Sequence, residues 1–201
     1  MISNTVLKAK EYISDLLSPL KNKWYEFHNL DHTLSVYKRA SYLAQMEWLD
    51  EEMQEIIQLA ALFHDTWFIK QYDNNEPIWS EIAEKWLKEQ KIPEDKIDII
   101  KQVILATIPT SKNPENILCK IIKDADLDNL WNKKFTFCNL KLKQELENIK
   151  WLNIPTNKRL ENTYNFISWL EFYTNTQIKE RQETFEKNKE ILKDKIESAK
   201  Q

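Results

Sequence analysis

The sequence contains no glycine among its 201 residues, where average usage of about 7% predicts roughly 14. Motifs that need a backbone without a Cβ are thereby excluded. The phosphate-cradling P-loop, the GxGxxG dinucleotide turn and the GxSxG nucleophile elbow all fall to this one absence. Cysteine occurs only at 119 and 138, too few for a disulfide framework and without metal-ligand spacing, so a reducing, cytoplasmic setting is expected. The net charge of -3 supplies no general pull toward nucleic acid or anionic lipid. The apolar runs are short, as in Leu59-Ala60-Ala61-Leu62-Phe63, against the ~20 residues of a membrane span. Lys8, Lys10 and Glu11 interrupt the N-terminus where a signal peptide has its apolar stretch. Neither a membrane nor a nucleic-acid partner is expected.

What the chain does have is helical periodicity, with no convincing strand alternation. Residues 3–18 read as a helix with Val6, Ile13, Leu16 and Leu17 on one face and Ser18-Pro19 as its stop. After a loop over 19–29, helices are expected at about 30–46 and 50–63, the second with Asp50 as N-cap and Glu51 and Glu52 in its first turn. A loop at 66–76, with turn chemistry at Asp73-Asn74-Asn75, leads to helices at about 77–90 and 93–107. Further helices fall at 115–130 and 133–150, and a long charged segment after Pro155 breaks near Thr174-Asn175. No repeat or linker divides the chain. The expectation is one all-α domain over residues 1–201, a helical bundle with a long C-terminal helical segment from about 133.

The chemistry concentrates in the three histidines, His28, His32 and His64. His64-Asp65 ends a buried-looking helix, and His32 begins the helix before it, so antiparallel packing brings the three residues together. Downstream, Asp124 and Asp126 stand at i and i+2 beside the apolar Ile121-Ile122, so only one of them can point into such a site. Two imidazoles and two carboxylates on separate helices suit a divalent metal with open coordination positions. A metal so held can activate water and polarise a phosphoryl oxygen.

The order His32, His64-Asp65, Asp126 resembles the HD superfamily of metal-dependent phosphohydrolases, whose helical core presents H…HD…D to a metal. Phe27-His28-Asn29-Leu30-Asp31-His32-Thr33 is similar to the YHNxxH segment of one HD subfamily. Ala60-Ala61-Leu62-Phe63-His64-Asp65-Thr66 resembles its AALFHDTG string, and Asp124-Ala125-Asp126-Leu127-Asp128-Asn129-Leu130 its DADLxxLG string. The likeness covers about residues 24–135. It implies an HD-domain-like bundle and one divalent ion (Mn, Mg, Co, Ni, Fe or Zn) on His32, His64, Asp65 and Asp126. Asp126 is preferred over Asp124 because the family ligand usually follows a small residue, here Ala125, which leaves Asp124 to cap or support. With Asp65 and Asp126, the catalytic set would include His28 as a substrate-contacting or acid/base group.

The implied activity is hydrolysis of a phosphomonoester or phosphodiester, of a nucleotide by preference, on a small phosphorylated substrate. Two-metal HD members use additional histidines, and none stands near Asn75-Glu76 or Thr107-Ile108-Pro109, which also weighs against an HD-fold di-iron oxygenase. A catalytically silent HD-fold module that binds a nucleotide or a partner protein is the alternative. Lys70, Asp73, Glu76 and Thr107 are candidates for the pocket rim, Lys70 and Lys123 for phosphate contact, and Asp31 for the N-cap of the helix carrying His32. The aromatic group Phe166, Trp169, Phe172 and Tyr173 reads as core or as a lid. Ile178, Phe185 and Leu192 offer a surface for a homodimer.

Tryptophan, usually rare, occurs eight times. Trp67 and Trp131 replace the glycines of two family strings, and Trp48 follows a helix end where glycine is the usual stop. An indole is a poor substitute where glycine serves for positive φ or close approach. Either some or all of these positions are glycine in the source, through a reassigned stop codon read as tryptophan, or the indoles are genuine drift or deliberate substitution.

Overall fold

A computed structural model of the chain describes residues 2–66, 79–108, 114, 116–150 and 155–199. Among these residues every regular element is helical: α1 (Asn4–Leu17), α2 (Leu30–Met46), α3 (Glu51–Phe63), α4 (Trp79–Glu89), α5 (Glu94–Leu105), α6 (Ile117–Asp126), α7 (Phe135–Lys150), α8 (Thr156–Ser168) and α9 (Asn175–Ser198). The expected all-α class is what the chain adopts. The loop expected at 19–29 instead opens with a short 3-10 helix, Ser18–Lys23, because Pro19 fits a first helical turn as readily as it stops the preceding helix. The expected loop at 66–76 lies almost wholly outside the described residues.

Local chemistry sets the helix starts. Ser3 Oγ accepts the Val6 N–H at 3.2 Å, and Asp50 Oδ1 accepts the Met53 N–H at 2.8 Å. The cap of α2 is Asn29, whose Oδ1 accepts the Asp31 N–H at 3.0 Å. Asp31, expected as that cap, lies inside the first turn. The asparagine can also donate, from Nδ2 to the Tyr25 and Glu26 carbonyls, each at 3.0 Å, a role no carboxylate can fill.

The main core forms around α3. From Ile56 to Phe63 every residue of this helix is buried, so it is enclosed on all sides. Val36, Ala40, Leu43 and Ala44 of α2, Ile97, Ile100 and Ile104 of α5, and Ile121 and Ile122 of α6 complete the core. Enclosing α3 is what places His64 and Asp65, at its C-terminal end, in the interior. A second cluster joins Trp131 and Phe135 to Leu160, Ile167, Phe185 and Leu192 of the C-terminal helices. Phe185 and Leu192 are each 3% exposed, so they face their own chain, and the dimer stripe expected from Ile178, Phe185 and Leu192 is not available.

The two clusters are joined by polar bonds. Asp124, buried in α6, accepts the Thr174 N–H at 2.8 Å, its hydroxyl at 2.7 Å and the Tyr173 N–H at 3.1 Å. Arg39 of α2 donates to Gln177 and, at 2.8 Å, to Glu180, both on α9.

Candidate metal centre

Four side chains from three places in the chain converge. His32 lies in the first turn of α2, His64 and Asp65 follow α3, and Asp126 ends α6. His32 Nε2 is 3.3 Å from His64 Nε2, 3.1 Å from Asp126 Oδ1 and 3.3 Å from Asp65 Oδ2. His64 Nε2 lies 3.2 Å from Asp65 Oδ2 and 3.5 Å from Asp126 Oδ1. His32, His64 and Asp126 each offer a ligand atom, all within 4.8 Å of one another.

The donor set fits a divalent cation. His64 Nδ1–H donates to the Ala61 carbonyl at 2.9 Å, which leaves Nε2 of the neutral ring as a lone pair facing the cluster. Two Nε2 atoms facing each other across 3.3 Å share at most one proton, whereas both can donate to one cation. Asp65 Oδ2 is buried and makes no hydrogen bond. A buried charged oxygen without a hydrogen bond is costly unless something else neutralises it.

The protonation pattern says the same. Burial alone would push His64 down, but the Asp65 and Asp126 carboxylates beside its Nε2 more than offset it and hold the imidazole well above its usual value. Burial works against Asp126 too, and its bonds to His32 and His64 keep it well below the usual carboxylate range. Asp65 is lowered chiefly by the His64 charge, against its own burial. Protons thus occupy the position that a cation takes when it binds.

Asp124 and Asp126 divide as their i, i+2 spacing requires: Asp126 faces the imidazoles, while Asp124 caps α9 through Thr174. Burial pushes the Asp124 carboxyl up to about 6, although the Thr174 and Tyr173 donors favour its charged form.

His28 stands beside the cluster, its ring centroid 6.0 Å from that of His32 and nearly perpendicular to it. Its ring Nδ1 bonds a carboxylate oxygen of Glu145, from α7. Glu145 was not anticipated. The available signal was its register, because Phe135, Cys138, Leu142, Glu145 and Ile149 follow the 3-4 spacing of a buried stripe, and a carboxylate on such a stripe calls for a partner.

A cleft of about 620 Å³ opens onto His32 and Asp126, with Lys38, Arg39, Lys134 and Lys141 among its lining residues. A second cavity of about 320 Å³ reaches Asp126 from the other side, past Thr107, Lys123, Phe166, Trp169 and Tyr173. Lys123 is nearly buried there, and burial lowers its ammonium pKa against the pull of Asp126. Of the aromatic group expected as core or lid, Phe172 packs into the second cluster, while Phe166 and Trp169 are exposed and line this cavity with Tyr173. Lys70, Asp73, Glu76 and Trp67 lie outside the described residues.

Residues 29–128 match the HD domain family. The chain belongs to the HD-domain proteins. That family binds divalent metals, and the His32, His64 and Asp126 cluster that could hold one lies within the matched residues. A protein of Listeria innocua of known structure is similar at 21% identity with a TM-score of 0.61, over 98% of this chain and 94% of that one. One of Lactobacillus plantarum is similar at 15% identity with a TM-score of 0.68, over 100% and 97%. Likeness at these identities is one of fold, and it extends beyond the matched residues to the C-terminal helices. No curated protein matches the sequence. Among the described residues no helix is long and apolar enough to cross a membrane.

Proposed function

We propose that this HD-domain protein hydrolyses a phosphomonoester or phosphodiester, of a nucleotide by preference, at one divalent ion on His32, His64, Asp65 and Asp126. The observation that carries the reading is the convergence of two imidazole Nε2 atoms and two carboxylates beside a cleft large enough for a small ligand and lined in part by lysines. When bound, the ion supplies an activated water and neutralises charge growing on the phosphoryl oxygens. Lys38, Lys134 and Lys141 offer ammonium groups to a phosphate as it enters. His28, with a carboxylate on its Nδ1, is the group that protonates the departing oxygen.

The test is phosphate release from nucleoside mono-, di- and cyclic phosphates with Mn, Co, Ni, Fe, Mg or Zn added singly. Turnover that needs the metal and disappears in Asp126→Ala supports the reading. Metal and nucleotide binding with no turnover on any ester supports instead a silent HD-fold binding module.

A further inference from the structure

Glu145 is fully buried, and three donors of one short segment meet its carboxylate. Oε2 accepts the Phe27 N–H at 2.7 Å and the His28 N–H at 2.9 Å, and Oε1 pairs with His28 Nδ1. A carboxylate so placed only accepts, so Nδ1 must carry the proton, and the ring is left with Nε2 as its exchanging atom. The same two oxygens hold the backbone and the ring of His28, which fixes its rotamer as well as its tautomer. Glu145 enters from α7, outside residues 29–128 that match the family, as does His28. A glutamate that served only to pin the 27–28 backbone would be satisfied by the two N–H groups and would not need the ring.

We infer that Glu145 is a positioning residue that holds His28 in the orientation and tautomer needed to hand a proton from Nε2 to the leaving oxygen of the ester. This rests on the hydrolase reading above. A water oxygen bonds to phosphorus and gives up a proton to solvent, and as the P–O bond to the leaving group breaks, its electron pair goes to the leaving oxygen. The Nε2 proton joins that oxygen, and the imidazole regains its proton from solvent before the next turnover.

The test sets an ester that needs an acid against one that does not. In Glu145→Gln and in His28→Asn, kcat on a nucleoside 5′-monophosphate, whose leaving group is an alkoxide, should fall about 10²–10⁴-fold. On p-nitrophenyl phosphate, whose leaving group departs unaided, both variants should stay within a few-fold of the parent. Adding Glu145→Gln to His28→Asn should change neither rate further. Equal losses on both esters, or a further loss in the double variant, overturn the inference in favour of a merely structural glutamate. A readout independent of turnover is the ring nitrogen NMR of His28. The parent should show a hydrogen-bonded Nδ1–H that vanishes in Glu145→Gln, and a His28 signal unchanged by the substitution overturns the inference by itself. A parent inactive on both esters counts against the hydrolase reading, and the NMR result still decides the Glu145 contact.

A separate observation concerns the tryptophans. Among the described residues three have positive φ: Trp24 at 71°, Trp48 at 61° and Lys91 at 60°. At Trp48 the Leu49 N–H bonds the Ala44 carbonyl at 2.9 Å and the Trp48 N–H the Gln45 carbonyl at 3.1 Å, the C-terminal motif in which glycine is the usual residue. Trp48 is 92% exposed, so the indole gains nothing there. Trp131 is buried with its ring centroid 3.4 Å from that of Phe185, shorter than the roughly 4.5–7 Å at which aromatic pairs pack, and its Nε1 has no hydrogen-bond partner. Trp86, by contrast, packs at 5.4 Å from Phe63 and 5.9 Å from Tyr12 inside α4.

The geometry points to glycine at 24, 48 and 131 in the protein as its own cell makes it, with a true tryptophan at 86. Peptide mass mapping of protein isolated from its natural source should find that pattern, and tryptophan at 24 or 48 overturns it. In the chain as written, Trp48→Gly should raise Tm by about 2–4 °C, because the left-handed backbone is relieved and no contact is lost. A lower Tm in that variant also counts against the assignment.

Discussion

Replacing Asp124 by alanine separates the two carboxylates of α6. The side chain is 2% exposed, and its loss leaves the Thr174 and Tyr173 amides without their acceptor. The Thr174 hydroxyl can turn elsewhere, so the two amides dominate, at about 1–3 kcal/mol each. The loss should therefore be about 2–6 kcal/mol near pH 8, or a fall in Tm of about 4–24 °C.

The pH dependence adds a second check. The folded carboxyl titrates at about 6 against a reference of 3.8. Its protonated form is thus favoured by folding, and the associated stability is complete below about 3.8 and lost as pH rises through about 6. The gap between parent and Asp124→Ala should be about 1 kcal/mol wider at pH 5 than at pH 8. Urea unfolding at the two pH values measures both quantities, and amide exchange in the first turn of α9 locates the damage. Metal content should be unchanged. A loss below about 1 kcal/mol, a gap that narrows at pH 5, or a folded variant that no longer takes up metal would each refute the reasoning.

Other expectations follow from the same contacts. Because Asp65 and Asp126 hold His64 protonated well above its usual value, uptake of Mn or Co at pH 7 should release about one proton and tighten with rising pH. Without metal the sign reverses, since a raised imidazole pKa gives stability present below about 6.5 and lost above the folded value. Calorimetry in two buffers of different ionisation enthalpy measures the proton, and no release would contradict the pairing. Leu62→Ala, at a fully buried position of α3, should cost about 2–5 kcal/mol. Asp50→Ala, which removes the Met53 cap, should cost about 0.5–2 kcal/mol without touching metal affinity. Urea melts of both variants check these, and a larger loss for Asp50→Ala than for Leu62→Ala would contradict the order of core above cap.

The cluster of candidate metal ligands was legible because it uses rare residues. With three histidines in the chain, His32, His64 and their carboxylates had few competitors, and Ala125 pointed to Asp126 over Asp124. The helices were legible wherever local signals decide them, as at Asp50. What escaped notice depends on contacts distant in sequence. Glu145 sits on the buried stripe of α7, but the donors that meet it, Phe27 and His28, lie 118 and 117 positions away. The exposure of Phe166 and Trp169 follows from where α8 stops, and the segment after it is held by Asp124 from across the chain. Phe185 and Leu192 suited a dimer face on periodicity alone, because nothing local reveals that Trp131 and Phe135 cover them. Asn29 displaced Asp31 as cap because its amide also donates to two carbonyls, those of Tyr25 and Glu26 in the segment just before it.

The most direct test of the metal centre is elemental analysis of the purified protein, as isolated and after incubation with Mn, Co or Fe, beside Asp65→Ala and Asp126→Ala. About one equivalent in the parent, lost in both folded variants, is the predicted result. A parent that holds no metal and takes none up, or variants that keep the full equivalent, would contradict a cation held by His32, His64, Asp65 and Asp126.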